Sequence, residues 1–83
     1  MTFEIVFTRR AVKDLEKLEQ KIRERIIQVL REYKEDPLIH ANKLTNPKLG
    51  SFRFKIGDYR VIFDLDDKTI VILRIGHRKS IYK

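Results

Sequence analysis

Residues 51–82 read SFRFKIGDYRVIFDLDDKTIVILRIGHRKSIY, and this stretch decides the fold. Phe52, Phe54 and Ile56 alternate with Arg53 and Lys55; Tyr59, Val61 and Phe63 alternate with Arg60 and Ile62. A period of two marks a strand with one buried face, and Gly57-Asp58 between two such runs is a hairpin turn. With those two residues as the loop, Ile56 pairs with Tyr59, Lys55 with Arg60, Phe54 with Val61 and Phe52 with Phe63. One face is then aromatic and aliphatic, and the other carries Arg53, Lys55 and Arg60. Like charges directly opposite each other weaken a sheet. Lys55 across from Arg60 therefore points to an anion as the partner of that face.

Asp66-Asp67-Lys68 reads as the next turn. A three-residue loop there pairs Leu65 with Thr69, Phe63 with Val71, Val61 with Leu73 and Arg60 with Arg74. Val71, Leu73 and Ile75 then face the core, and Arg74 joins the basic face; a slip of one residue reverses both assignments. Gly76 breaks the strand, and the free backbone of glycine lets His77, Arg78, Lys79 and Tyr82 curl back over the basic face. Cations beside an aromatic ring suit single-stranded RNA, because the cations neutralise phosphate and the ring stacks on a base. Such a stack on Tyr82 is worth about 1–3 kcal/mol.

Upstream, Phe3, Ile5 and Phe7 alternate with Glu4 and Val6 as a strand, and Thr8 stands where a helix N-cap belongs. Ala11, Leu15 and Leu18, with Val12 beside them, recur at helical spacing, as do Ile22, Ile26, Val29, Leu30 and Tyr33. The pattern fits one bent helix or a helical hairpin breaking near residues 19–21. The hairpin is preferred, since about 27 residues is long for a helix in so small a domain. Asp36-Pro37 closes the helical region, because the residue before proline is pushed out of the α conformation. Pro37 to Gly50 is expected to be a loop anchored by Leu38, Leu44 and Leu49, with His40 as a surface residue. The order is β-α-α-β-β-β. It predicts an α+β fold in which a helical hairpin packs on one face of a small sheet. The first strand is expected beside a later one, parallel or antiparallel.

The chain has 83 residues, 42% of them hydrophobic, which fits one globular domain over 1–83. It has no cysteine, which excludes disulfides, thiolate metal sites and a cysteine nucleophile. His40 and His77 alone do not make a zinc site, so no metal or other cofactor is expected. The apolar runs are too short to span a bilayer and Met1-Phe7 lacks a signal-peptide pattern, so the expected location is the cytosol, with no membrane partner. Charge is uneven. Residues 1–36 hold nine Lys/Arg against eight Asp/Glu, whereas residues 37–83 hold ten against four. Most of the net +7 thus lies in the half that carries the basic strands, as in a polyanion binder.

GDYRVIFDLDDKTIVILRIGHRKSIY resembles the C-terminal half of the RelE/ParE superfamily of bacterial and archaeal toxins, most closely its RelE branch. The element order and the KLG that closes the preceding loop extend the likeness over nearly the whole chain. The resemblance implies a RelE-like, microbial-RNase-like fold. It also implies a ribosome-dependent endoribonuclease that cuts messenger RNA in the A site of the 70S ribosome and is neutralised by a cognate antitoxin. Carried over residue by residue, Arg60 of the GDYR motif and Arg78 of the GHR motif correspond to the arginines that bind the scissile phosphate. Tyr82 corresponds to the C-terminal tyrosine that stacks on the messenger. Arg53 and Lys55 lie where RelE-type toxins place basic residues with a proposed proton-transfer role, a lysine being more usual at the position of Arg53. His77 stands where the family varies between basic residues. Arg74 and Lys79 complete the expected RNA-binding set.

This chemistry requires no metal. RNA supplies its own nucleophile, the 2′-hydroxyl, so the protein's tasks are alignment, neutralisation of the phosphorane and proton transfer. Guanidinium groups make bidentate, permanently charged contacts to phosphate, and charge placed in advance at a developing oxyanion is commonly the largest catalytic contribution. For the general base, Lys55 beside the cation of Arg60 ranks ahead of His77. Two other readings share the fold: a ParE-like inhibitor of DNA gyrase, and a family member that binds RNA or antitoxin without cutting. The excess of positive charge and an expected apolar groove imply an acidic, amphipathic antitoxin segment.

Overall fold

The computed structural model describes residues 2–46 and 48–82. The chain opens with strand β1 (Glu4–Phe7), which Thr8 converts into helix α1 (Arg9–Glu16). The Thr8 hydroxyl accepts from the amide of Ala11, as an N-cap should, and donates to the carbonyl of Ile72 at 2.9 Å. One side chain thus starts the helix and ties it to the far end of the chain. The helical stretch is a hairpin: α1 stops at Glu16, three residues turn, and α2 runs Gln20–Tyr33. Ala11 of α1 and Ile26 and Leu30 of α2 are buried, so both apolar stripes point to one layer.

The remaining elements are a 3₁₀ turn (Pro37–Ile39) and strands β2 (Ala41–Lys43), β3 (Phe52–Ile56), β4 (Tyr59–Asp66) and β5 (Thr69–His77). The sheet order is β1-β5-β4-β3-β2, with β1 parallel to β5 and the other neighbours antiparallel. The helices cover one face. Ala11, Ile26 and Leu30 close over Phe54, Ile56, Val61, Phe63, Ile70, Ile72 and Ile75. Phe54 stacks on Phe63 at 4.3 Å between ring centroids, and the edge of Tyr33 meets Phe54 at 5.0 Å.

The β3–β4 register agrees with the reading of the sequence at every pair, Lys55 opposite Arg60 included. Gly76 does not break the last strand, which runs on to His77 with Gly76 still paired to Arg60. Three further expectations are corrected. First, residues 37–50 are more than a loop. β2 adds an edge strand by pairing Ala41, Asn42 and Lys43 with Phe54, Arg53 and Phe52. Pro37 is buried while Leu38 is 54% exposed, so Leu38 is no core anchor; Leu44 and Leu49 are half-buried.

Second, the β4–β5 turn has two residues, because Asp67 takes a left-handed backbone (φ 54°), which aspartate tolerates better than most residues. Asp66 then pairs with Thr69, and Ile70 and Ile72, rather than Val71 and Leu73, fill the core. Third, an irregularity at Ile62/Phe63 shifts the register again and returns Ile75 to the core. Arg74 therefore lies opposite Ile62, and Arg60 faces Gly76.

Candidate active site

The sheet face away from the helices carries the side chains that alternate with the core: Arg53 and Lys55 on β3, Arg60 and Ile62 on β4. Its centre is apolar. Ile62 is fully buried there, Gly50 lies against Ile62 and Leu73, and Ile81, 4% exposed, lies against Gly76. Ile81 is the peg that brings the segment after β5 back over the sheet. The amide of Arg78 donates to the carbonyl of Asp58 at 2.8 Å, and the amides of Ser80 and Ile81 both donate to the carbonyl of His77. The tail is thereby a folded strap.

This strap gathers the basic residues. The Arg60 Nη1 donates to the carbonyls of Gly57 and Tyr59, each at 2.9 Å, which holds the guanidinium at the β3–β4 turn. The side chain of Arg78 lies 3.5 Å from the Asp58 carboxylate of the same turn, and both are largely exposed. Lys55 is exposed next to Arg60. Arg53 donates from Nη1 to the Tyr82 hydroxyl at 2.7 Å, and its guanidinium lies over the Tyr82 ring, 5.6 Å from the centroid. Arg53, Lys55, Arg60, Arg78 and Tyr82 thus share one face. The grooves between β1, α1 and α2 and beside the end of β5 take in none of the five. An open, cationic sheet face suits an extended polyanion better than an enclosed small molecule.

Two expected members stand apart. Arg74 leaves the cluster: its Nε donates to Asp14 Oδ2 of α1 at 2.8 Å, and the same oxygen accepts from the amide of Ile75 at 3.0 Å. His77 pairs with Tyr59, whose ring belongs to the core face and meets the imidazole edge-on at 5.4 Å. Its Nδ1 accepts from the amide of Lys79. The imidazole therefore lies on the helix side of the sheet, away from Lys55 and Arg60. Lys79 is exposed at the outer bend of the strap. Asp14 is the residue that sequence reasoning missed. Its signal was an acid three residues after Ala11 and four before Leu18, a core-facing position of the apolar stripe. Among the described residues no group of three or more His, Cys, Asp or Glu side chains is placed to hold a metal ion.

A family model described as the ParE toxin of type II toxin–antitoxin systems (parDE) matches residues 5–82. The chain belongs to the ParE toxin family. Within that family its similar relatives carry RelE-type names. Toxin RelG of Mycobacterium tuberculosis is 33% identical over 86 residues, covering 100% of this chain and 99% of the relative. The mRNA interferase toxin RelE of Escherichia coli is 30% identical over 82 residues, covering 95% and 86%. Among solved structures, the toxin–antitoxin complex RelBE2 of Mycobacterium tuberculosis superposes with a TM-score of 0.85 at 31% identity, covering 94% of this chain and 100% of the matched one. The family match in sequence and the superposition in structure therefore agree.

Proposed function

We propose that this chain is a RelE-type mRNA interferase, acting as one domain over 1–83 in the cytoplasm and held inactive by a cognate antitoxin. One observation carries the reading. Arg60 and Arg78, far apart in sequence, are both tied to the Gly57-Asp58 turn beside Lys55. A guanidinium held at the turn by its own hydrogen bonds, and a second carried by a residue whose backbone is stitched to that turn, suit a scissile phosphate, since each offers a rigid fork of donors and stays charged throughout. The 2′-hydroxyl of the preceding ribose attacks phosphorus and the bond to the 5′ oxygen breaks. The products are a 2′,3′-cyclic phosphate and a free 5′-hydroxyl. Arg60 and Arg78 neutralise the phosphorane oxygens, Lys55 takes part in proton transfer, and Tyr82 stacks on a base of the messenger. Messenger in the ribosomal A site is the substrate, and no metal enters the steps.

The similarity to the RelE mRNA interferase of Escherichia coli supports the reaction class, and the similarity to a RelBE2 toxin–antitoxin complex supports the antitoxin. The cationic face suits an acidic, amphipathic antitoxin segment, whose binding then weakens as salt is raised. Primer extension on a defined messenger, translated in a purified system, tests the reading. New 5′ ends within A-site codons, dependent on ribosomes and lost with Arg78→Ala, are expected. No cuts from a folded sample overturn it.

A second reading has one observation in its favour, the description of the matching family as the ParE toxin of parDE systems. It makes the chain an inhibitor of DNA gyrase. Loss of supercoiling by purified gyrase, with messenger left intact, is the outcome that selects it.

A further inference from the structure

We infer that Arg53 is the positioning residue of Tyr82: it fixes the ring that receives the RNA base and takes no part in proton transfer. The inference rests on the nuclease reading above and departs from the role that resemblance alone suggests for this position.

Three observations meet at this pair. The Arg53 Nη1 donates to the Tyr82 hydroxyl at 2.7 Å, the short distance of a charge-assisted bond. The guanidinium carbon stands over the ring at 5.6 Å from the centroid, within the range of a cation–π contact. The Arg53 Nε is buried without a hydrogen-bond partner, so the stem of the side chain is packed into the sheet face while the fork reaches the tail. A guanidinium also keeps its proton at any physiological pH, which removes Arg53 as a general acid or base. A lysine in its place offers a single flexible nitrogen and no plane to lay on a ring. The arginine is suited to holding the tyrosine.

The strap needs such a hold. It leaves β5 at His77 and is attached to this face by the Arg78 amide on the Asp58 carbonyl, the buried Ile81 against Gly76 and the Arg53–Tyr82 bond, beside the exposed Arg78–Asp58 ion pair. The first two anchor the backbone at Arg78 and Ile81 but do not hold the end of the strap, from which it can open. The third fixes the ring. The bond grips the ring at its hydroxyl end and leaves the ring faces for a base, and the entropy of ordering the tyrosine is already spent before RNA arrives. Lys55 is then the one β3 side chain left to exchange protons.

A double-mutant cycle on single-turnover cleavage, run at saturating ribosome-bound messenger, tests this. The variants are Arg53→Ala, Tyr82→Phe and the two combined. If Arg53 acts through the tyrosine hydroxyl, each single change slows cleavage by about tenfold, the loss of one charge-assisted hydrogen bond, and the double variant is no slower than Arg53→Ala. A full further loss when Arg53→Ala is added to Tyr82→Phe means that Arg53 touches RNA itself and overturns the inference. Amide hydrogen exchange at Ser80 and Ile81 in the free protein gives a readout that needs no activity. Both single variants are expected to speed exchange there and leave the β3–β4 amides unchanged; unchanged exchange at Ser80 and Ile81 in both overturns the inference. A wild-type protein that cuts no RNA sinks the nuclease reading, and the exchange comparison then decides by itself whether Arg53 holds Tyr82.

Discussion

The amide of Arg78 donates to the carbonyl of Asp58 at 2.8 Å and stitches the segment after β5 to the turn between β3 and β4. The bond belongs to the backbone, so it survives truncation of the arginine. Arg78→Ala removes a guanidinium whose only acidic neighbour among the described residues is an exposed carboxylate 3.5 Å away, an ion pair of little value to stability. The expected outcome is a melting temperature within a few degrees of wild type and cleavage down by about 100-fold or more. Thermal unfolding and primer extension on one sample check both halves. Cleavage that survives Arg78→Ala takes Arg78 out of the site.

Arg60→Ala is expected to be less clean. Its Nη1 holds the carbonyls of Gly57 and Tyr59, so the change costs about 1–2 kcal/mol of stability in addition to the catalytic loss. Arg60→Lys is expected to recover part of the stability and little of the rate, since an ammonium cannot reproduce a bidentate fork. Urea unfolding beside a cleavage assay separates the two effects. Recovery of full cleavage by lysine shows that charge alone is needed at this position.

Asp14 governs how β5 ends. Its Oδ2 accepts from the Arg74 Nε and the Ile75 amide at a point where β1 has stopped and the edge of β5 would otherwise be unpaired. Asp14→Ala leaves both donors without this acceptor, and the expected cost is about 2–3 kcal/mol in urea unfolding. Asp14→Asn keeps an acceptor oxygen and should cost about half as much. Equal losses from the two substitutions make the charge of Asp14 the whole contribution.

The parts of this architecture that were legible in the sequence are those fixed by neighbours in the chain. The β3–β4 hairpin follows from strict alternation around Gly57-Asp58, and Thr8 announces α1 because capping is local chemistry. The β4–β5 register was hidden for the opposite reason. Asp67 in the left-handed region shortens the turn by one residue, and the irregularity at Ile62/Phe63 restores Ile75 to the core farther along. Either displacement alone would have exposed an isoleucine. Ile70 to Leu73 is apolar at every position, so its pattern cannot distinguish one face from the other. β2 escaped notice because three residues, two of them Asn42 and Lys43, carry no periodicity. In the site, Arg60, Lys55 and Arg78 could be placed from their motifs. The diversion of Arg74 to Asp14 joins residues of α1 and β5, and only the folded chain brings them together.

Gly50 and Gly57 both have positive φ, yet substitution should affect them unequally. A Cβ on Gly50 (φ +146°) would meet Ile62 Cγ2 at 2.7 Å and Leu73 Cδ1 at 3.0 Å, under a fully buried isoleucine. A Cβ on Gly57 (φ +59°) would meet nothing within 4 Å. Gly57→Ala therefore costs only the backbone term, about 1 kcal/mol, while Gly50→Ala adds steric strain and should cost about 2–4 kcal/mol. Urea midpoints measure the difference. Equal midpoints would show that the apolar patch around Ile62 yields freely.

Salt dependence tells whether the outer face or the whole cationic surface binds RNA. If Lys55, Arg60, Arg78 and Lys79 each neutralise one phosphate of a single strand, the logarithm of the affinity falls with the logarithm of salt at a slope of about −3, at roughly 0.7 per phosphate. Arg78→Ala should reduce that slope by about 0.7 as well as weaken binding. Arg25→Ala is the control, because Arg25 is exposed on α2, in the layer on the opposite side of the sheet. It removes the same charge from the protein and should leave the slope unchanged. Fluorescence anisotropy with a labelled oligoribonucleotide, titrated from low to moderate salt, measures all three proteins. If Arg25→Ala lowers the slope as much as Arg78→Ala, RNA is held by diffuse charge, and the cluster at the Gly57-Asp58 turn has no privileged contact with phosphate.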